Sequence, residues 1–460
     1  MKRTYWILLI AMLLALSASC GGGVGGGAPP LDGGGNDGVA LKLLTYADGT
    51  EWLIAPPNTA APVTAVTVTA GGQTADGKSQ ADGSIVFKLP VTNEQSASAT
   101  YITPQGLKRT VTPALHRVEE KLTHDFLPTG SAPNDMVLTA ERAYVANSMD
   151  NNVAVLALPD FSLAGTLVLP AGASPSYLFV NEALGFVTCN GNNTLVAFNP
   201  ADGAELWTVE LESGDAAFLG PGRPWANAAY VFVPLANIAA FGGGGDETDY
   251  LPAELAVVSI ADQTEAVRIE LSGANAVDAV PVSATELAVA QAGNLSFDED
   301  FRPFVTSPTF IDVVDTTALT VVRSVNLGVV GGSRLLHDSA RARLLVGSIT
   351  AGRMYTINTA NWVIERGTLN PVILSDELTF VSDLLLAEGT LFVSSFNEDL
   401  VYALDPLTYN AGEWIMPEPL SLEQEELFLA GPQRLHYLAG SRSLLVLEGV
   451  ANRAARYLLP

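Results

Sequence analysis

The chain predicts an all-β protein, a seven-bladed β-propeller preceded by a small β-sandwich module, and three observations carry that prediction. Between His116 and Pro460 one pattern recurs seven times: two apolar runs joined by a hairpin turn, a third run, then a fourth. The first copy reads Asp135-Met-Val-Leu, Ala143-Tyr-Val-Ala-Asn, Asn152-Val-Ala-Val-Leu-Ala-Leu and Leu163-Ala-Gly-Thr-Leu-Val-Leu. Second, a repeat of about 40 to 60 residues with four strands cannot bury both of its faces alone, so the copies must stack radially. Third, the last copy is one strand short, while a spare strand, Arg117 to Phe126, precedes the first copy. Pairing the two closes the ring and leaves no naked edge between first and last blades.

The individual strands follow from alignment of the copies. Second runs align as Tyr144-Val-Ala-Asn, Phe186-Val-Thr-Cys, Ile238-Ala-Ala-Phe, Leu287-Ala-Val-Ala, Leu344-Leu-Val-Gly, Leu391-Phe-Val-Ser and Leu444-Leu-Val-Leu. Third runs begin at Val153, Leu195, Leu255, Phe310, Met354, Leu400 and Ala454. The first blade resembles the YVTN-type, surface-layer and NHL-like propellers of exported bacterial proteins, through Ala132-Pro-Asn-Asp, Ala143-Tyr-Val-Ala-Asn-Ser and Asn151-Asn-Val-Ala-Val-Leu. The second also resembles a quinoprotein-type repeat at Leu195-Val-Ala-Phe-Asn-Pro-Ala-Asp-Gly-Ala-Glu-Leu-Trp207. Later blades depart from both patterns, and no quinone-binding residue set maps onto this chain.

Ahead of the propeller, residues 39–115 show short β runs punctuated by Gly and Pro: 41–46, 51–55, 65–70, 84–89, 97–102 and 108–112. The stretch Gln80-Ala-Asp-Gly-Ser-Ile-Val-Phe-Lys-Leu-Pro90 resembles carboxypeptidase-regulatory-like and other immunoglobulin-like sandwich modules. A module this small buries a modest core only.

The amino terminus has the three parts of an export signal: basic Lys2-Arg3, an apolar stretch from Tyr5 to Leu16 too short to span a bilayer, and the small residues Ser17-Ala-Ser. Followed at once by Cys20 and a glycine-rich stretch, residues 1–19 resemble a bacterial lipoprotein signal peptide. That resemblance implies acylation of Cys20, anchoring to the membrane through lipid and, with Gly21 next, residence in the outer membrane of the cell envelope. Such proteins usually carry Leu three residues before the Cys, where this chain has Ser17, so cleavage after Ser19 with release of a soluble protein stays open. Residues 20–38 are nearly all Gly, Pro, Asp and Asn, a flexible tether with too little apolar surface to offset the entropy of ordering.

With 23 Lys+Arg against 49 Asp+Glu the net charge is −26, and loss of Lys2 and Arg3 with the signal makes it two units more negative. Such a surface repels phosphate backbones, which argues against nucleic acid as a partner. Two cysteines exclude a disulfide framework; with Cys20 acylated, Cys189 is left as a small buried hydrophobe at a strand end.

Chemistry belongs where loops enlarge, since a rigid scaffold displays its binding groups on loops. Blades three and four carry long insertions between their second and third strands, 242–252 and 293–308, which should meet because the blades are neighbours. Together they supply Asp246, Glu247, Asp249, Asp298, Glu299 and Asp300, hard oxygens of the kind that suits Ca2+; the bland alternative is solvated loop tips. With the loop entering blade three they also offer Arg223, Trp225, Tyr250, Phe301 and Arg302 as the rim of a ligand site. The four histidines, His116, His124, His337 and His436, make no triad: His337-Asp-Ser339 are consecutive strand residues whose side chains alternate between faces. No catalytic residue is assigned. The expected function is a non-enzymatic, lipid-tethered binding or scaffold protein for a protein, peptide or glycan. Alternatives are a metal-dependent lactonase or lyase, and an envelope-assembly factor.

Overall fold

The computed structural model describes residues 42–46, 51–55, 59–70, 73–79, 85–89, 97–112, 114–118, 125–242, 247–298, 302–375, 380–398, 400–409, 431–450 and 452–458. The signal, Cys20 and the tether lie outside these. Among the described residues no helix is long and apolar enough to cross a membrane.

Residues 42–118 form two four-stranded sheets. One holds Ile85–Leu89, Glu51–Ala55, Lys42–Tyr46 and Ala114–Val118, the last two parallel; the other holds Gln73–Lys78, Ala65–Ala70, Ala97–Ile102 and Lys108–Val111. Leu53, Ala55 and Ile85 of the first meet Val66, Val68, Ala99 and Tyr101 of the second in a single apolar cluster. Alternation does this work: in Val66-Thr-Val-Thr the valines face inward and the threonines remain outside. The strand Gln73–Lys78 is not among the expected runs, since its QTADGK sequence has no apolar period and it pairs as an edge on Ala65–Ala70.

Among the described residues seven sheets follow in chain order, their first strands being Pro133–Leu138, Pro175–Val180, Trp225–Ala226, Ala276–Pro281, Gly332–Asp338, Val381–Ala387 and Pro432–Leu438. In each the antiparallel order of the first three strands is that of the chain, apart from hairpins inserted in the third and fourth sheets. First strands adjoin one another round the ring, the first sheet meeting the seventh, except that the second sheet meets the third through the segment before Trp225; fourth strands such as Ser162–Val168 and Glu205–Glu210 are largely exposed. Seven apolar clusters lie between successive sheets. One joins Met136, Ala143 and Val145 of the first sheet to Leu445, Leu447 and Ala454 of the seventh. Each sheet therefore buries both faces against its two neighbours, as a radial stack requires. The architecture is a β-propeller.

Two strand assignments need correction. The second strand of the third sheet is Tyr230–Leu235, not the Ile238 run: Pro234 inside it suggests a break, but the strand continues through it, paired with Leu255 on one side and with the Pro234 carbonyl accepting from Gly222 N at 2.8 Å on the other. Ile238–Ala240 belongs instead to the inserted hairpin, paired with Asp249–Tyr250. The spare strand is also shorter than Arg117 to Phe126. Ala114–Val118 runs across the expected module boundary into the module sheet, and Asp125–Pro128 alone pairs antiparallel with Arg453–Leu458 of the seventh sheet. Asn452 reinforces the junction, its Oδ1 accepting from Ala132 N at 2.7 Å and its carbonyl from Thr129 N at 3.3 Å.

Truncation after Gly449 removes the buried Ala454, Ala455 and Tyr457 and leaves Asp125–Pro128 unpaired. We expect a large drop in melting temperature and binding of a hydrophobic dye, measured by calorimetry and dye fluorescence. Tyr457→Ala alone costs about 3–5 kcal/mol, as large aromatic deletions do.

Candidate functional site: a charged ring on the propeller axis and a locked hairpin rim

Six of the seven first strands carry the same irregularity near their start. The register slips between Pro133 and Asp135, Pro175 and Tyr177, Ala276 and Asp278, Gly332 and Arg334, Val381 and Asp383, and Pro432 and Arg434. A bulge re-aims the side chain that follows it. Here the residues after the bulges converge, and Arg223, from the segment entering the third sheet, joins them. In order round the ring they are Asp135, Tyr177, Arg223, Asp278, Arg334, Asp383 and Arg434: three acids, three bases and a phenol.

Contacts across the axis show that these groups meet. Arg223 of the third sheet lies 3.8 Å from Asp278 Oδ1 in the fourth and 3.7 Å from Asp383 Oδ1 in the sixth. Arg434 bonds Asp135 Oδ1 through Nε and approaches Asp383 Oδ1 at 3.8 Å. The Arg334 and Arg434 guanidinium groups each stand 5.6 Å from the Tyr177 ring centroid and share the Ser382 carbonyl, at 2.7 and 3.3 Å.

Each aspartate also clamps the neighbouring sheet. Asp135 Oδ2 accepts from Leu178 N at 2.8 Å, Asp278 Oδ2 from Leu335 N at 2.9 Å and Asp383 Oδ2 from Leu435 N at 2.9 Å. One carboxylate thus ties the first strands of sheets one and two, four and five, or six and seven. The third sheet is held differently: Gly222 O accepts from Thr188 Oγ1 at 3.1 Å, and Arg223 N donates to Val277 O at 3.1 Å. A Cβ on Gly222 would come within 2.6 Å of the Val277 carbonyl oxygen, so only glycine permits that approach.

Asp135 and Arg434 are 1% and 2% exposed, and both are perturbed. Burial alone would raise the Asp135 carboxyl, but Arg434, Arg223 and the Leu178 N–H together outweigh it and hold it below its ordinary value. Burial, then repulsion from Arg223, lowers Arg434. His436 lies two residues beyond Arg434; its Nε2 meets Met136 O at 2.7 Å, and burial lowers its pKa, as it lowers that of His337. Cys189 is buried with its thiol pushed up to about 12, which makes it an inert core residue.

A second feature stands at the same end of the ring, since each bulged residue pairs with the penultimate residue of its second strand, just before the turn into the third. In the third and fourth sheets that turn is replaced by a hairpin: Ile238–Ala240 with Asp249–Tyr250, and Leu295–Phe297 with Pro303–Val305. The two insertions do meet. Thr248 N donates to Ser296 Oγ at 2.8 Å and Tyr250 OH to Leu295 O at 3.1 Å, with Thr248 and Ser296 buried. The segment before Arg223 lies against the first hairpin through mutual backbone bonds between Phe218 and Ile238 and a Phe218–Phe241 ring contact at 5.7 Å.

The expected rim residues are spread over both features. Arg223 is in the ring. Trp225 packs 5.7 Å from Phe232 in the cluster between sheets three and four, so its indole serves the core. Tyr250 pins one hairpin to the other, and burial pushes its hydroxyl pKa up. Arg302 is exposed at the tip of the second hairpin, its N–H donating to Asp298 Oδ1 at 2.8 Å, so that carboxylate caps a turn. Glu247 and Asp249 are exposed. Asp246, Glu299, Asp300 and Phe301 lie outside the described residues, and among those described no three His, Cys, Asp or Glu side chains are grouped to hold a metal ion.

Fold and ring define a β-propeller whose axis is filled by charged side chains. Two solved structures are similar to this chain, each at 10% identity. The WD40 β-propeller domain of Doa1 covers 74% of this chain and 98% of its own, with a TM-score of 0.50. Kuenenia stuttgartiensis hydrazine synthase covers 74% and 99%, with a TM-score of 0.48. No family model matches the chain, and no curated protein does.

Sequence reasoning missed the ring, though the signal was present. With the first two second runs set one residue earlier, as Ala143-Tyr-Val-Ala and Gly185-Phe-Val-Thr, each of Asp135, Tyr177, Asp278, Arg334, Asp383 and Arg434 pairs opposite the fourth residue of its run, although hairpin turns of unequal length vary their spacing in the sequence.

Asp135→Ala leaves the buried Arg434 without its hydrogen-bonded carboxylate and with only Asp383 at 3.8 Å to balance it; we expect a loss of about 3–5 kcal/mol in unfolding free energy, against less than about 0.5 for Glu270→Ala on an outer strand. Asp135, His337 and His436 all have folded pKa values below their unfolded ones, so the unfolded state binds more protons. Their contribution is full above about pH 6.5 and falls in two steps as pH drops, the histidine step below 6.5 and the Asp135 step below about 3.8. In a melting-temperature profile, His337→Gln with His436→Gln should flatten the slope between pH 7 and 5.

Proposed function

We propose that this chain is a binding or scaffold protein of the cell envelope, anchored by lipid at Cys20, which takes a protein, peptide or glycan partner at the hairpin-bearing end of its propeller. One observation carries the reading: the insertions of sheets three and four are bonded to each other, so the rim is organised before any partner arrives. Organised surfaces bind without an ordering cost, which is why preformed loops on rigid scaffolds are the usual binding apparatus. The lipoprotein-like signal supports the anchor, and the acidic surface favours partners other than nucleic acid. The YVTN or NHL-like repeat type and Ca2+ at the hairpin acids remain part of the proposal.

A second reading, an enzyme working at the axis, is favoured by the convergence of Asp383, Arg223, Arg334 and His436. Against it, every ring aspartate already accepts from a backbone N–H or its own arginine, and the neighbouring arginines hold Asp135 below its ordinary carboxylate range, which weakens it as a base.

Replacing residues 241–249 and 296–304 each by an Asn-Gly turn should abolish retention on a mixed peptide and glycan array while melting stays within a few degrees of the parent chain. Retention unchanged in that variant would refute the rim as the binding surface. Incorporation of labelled palmitate into the full chain expressed in a bacterium, absent in Cys20→Ala, tests the anchor.

A further inference from the structure

The ring is balanced in formal charge but not in contacts. All three aspartates are used twice, by a neighbouring backbone N–H and by an arginine. Two arginines are also used twice, Arg223 by Asp278 and Asp383 and Arg434 by Asp135 and Asp383, but the third is not. Arg334 has no carboxylate within 4 Å among the described residues; its only hydrogen bond there runs from Nε to Ser382 O, leaving both terminal nitrogens of its fork without a partner. Arg434, 2% exposed, has a buried Nη2 with no partner at all. A buried donor left unpaired costs about 1–3 kcal/mol, more for a charged group, and native proteins keep such groups where something else satisfies them. Both forks lean on one half-buried phenol, Tyr177, and converge on one carbonyl. Arg223 beside them keeps 24% of its side chain exposed, so the ring is in reach of solvent.

We infer that the axial ring binds a carboxylate, carried by a small organic acid or by an acidic side chain of a peptide, between Arg334, Arg434 and the Tyr177 hydroxyl. Guanidinium forks match the two oxygens of a carboxylate in plane. The aspartates of the same ring set the charge of the ligand: Asp278 and Asp383 repel a dianionic phosphate about twice as strongly as a monoanionic carboxylate group. The site is distinct from the hairpin rim and does not depend on it. Carboxylate binding that survives replacement of both hairpins leaves this site standing even where the rim is refuted.

The test uses the full chain in detergent, at fixed ionic strength set with chloride, titrated with succinate, with hexaglutamate and with inorganic phosphate, and read by calorimetry and melting temperature. A carboxylate at about one hundred times its Kd should raise the melting temperature by on the order of 3 °C over chloride. Response to succinate points to a free acid, and response to hexaglutamate alone to a peptide side chain; both support the site. Arg334→Gln, which keeps length and removes charge, should weaken binding at least about tenfold. Arg334→Lys, which keeps the charge and loses the fork, should do the same and serves if the Gln variant does not fold. The inference is overturned if neither carboxylate exceeds chloride, if phosphate binds more tightly than both, or if the Arg334 variants bind like the parent chain.

Discussion

A ring of sheets is stable only when its last member meets its first, and here that meeting rests on a buried ion pair between residues 299 positions apart, Asp135 and Arg434. The pair lies at the seam between sheets one and seven, with the His436–Met136 bond beside it and the added strand Asp125–Pro128 outside it. Burying two charges costs free energy that their attraction rarely exceeds by much. What the pair supplies is a demand for registration, because neither charge can be left alone in that environment. The apolar clusters between sheets supply the bulk of the cohesion, and they would tolerate a small slip that the charges would not.

The same logic is distributed round the axis. Clamps from Asp135, Asp278 and Asp383 join sheets in pairs, and the third sheet, which has no bulged aspartate and only a two-residue first strand, is held by backbone contacts at Gly222 and Arg223. That sheet is also where the chain departs furthest from its own repeat. The long entering segment, the Pro234 strand and the first inserted hairpin all belong to it. Irregularity is thus concentrated at one sector, next to the second hairpin, while the rest of the ring stays regular enough to position it.

Much of the fold was legible because burial on two faces writes continuous apolar runs into the middle strands of every copy. Val153-Ala-Val-Leu and Leu344-Leu-Val-Gly could hardly be anything else. The misreadings have physical causes. Gln73–Lys78 is an edge strand with no buried face of its own period, so no hydrophobic pattern marks it. Tyr230–Leu235 was obscured by a proline whose carbonyl still takes a ladder bond, from Gly222 N, although it has no N–H to give. The ring escaped notice because side chains alternate along a strand, so an alignment slip of one residue moves every group to the opposite face, and the slip fell in the two copies that looked most regular. The meeting of the insertions, in contrast, followed from neighbouring sheets alone.

The closing strand has a temporal corollary. Asp125–Pro128 is synthesised before any of the seven sheets, yet its partner Arg453–Leu458 is the last strand of the ring to be made, and the bond from Ala132 to Asn452 spans 320 residues. Early sheets can condense in sequence through local hairpins, but the toroid cannot seal until that late segment arrives. Contacts of such long range are slow to form and leave strand edges exposed meanwhile. A nascent chain stalled short of its carboxy terminus would therefore be an open arc, a natural client for holdase chaperones.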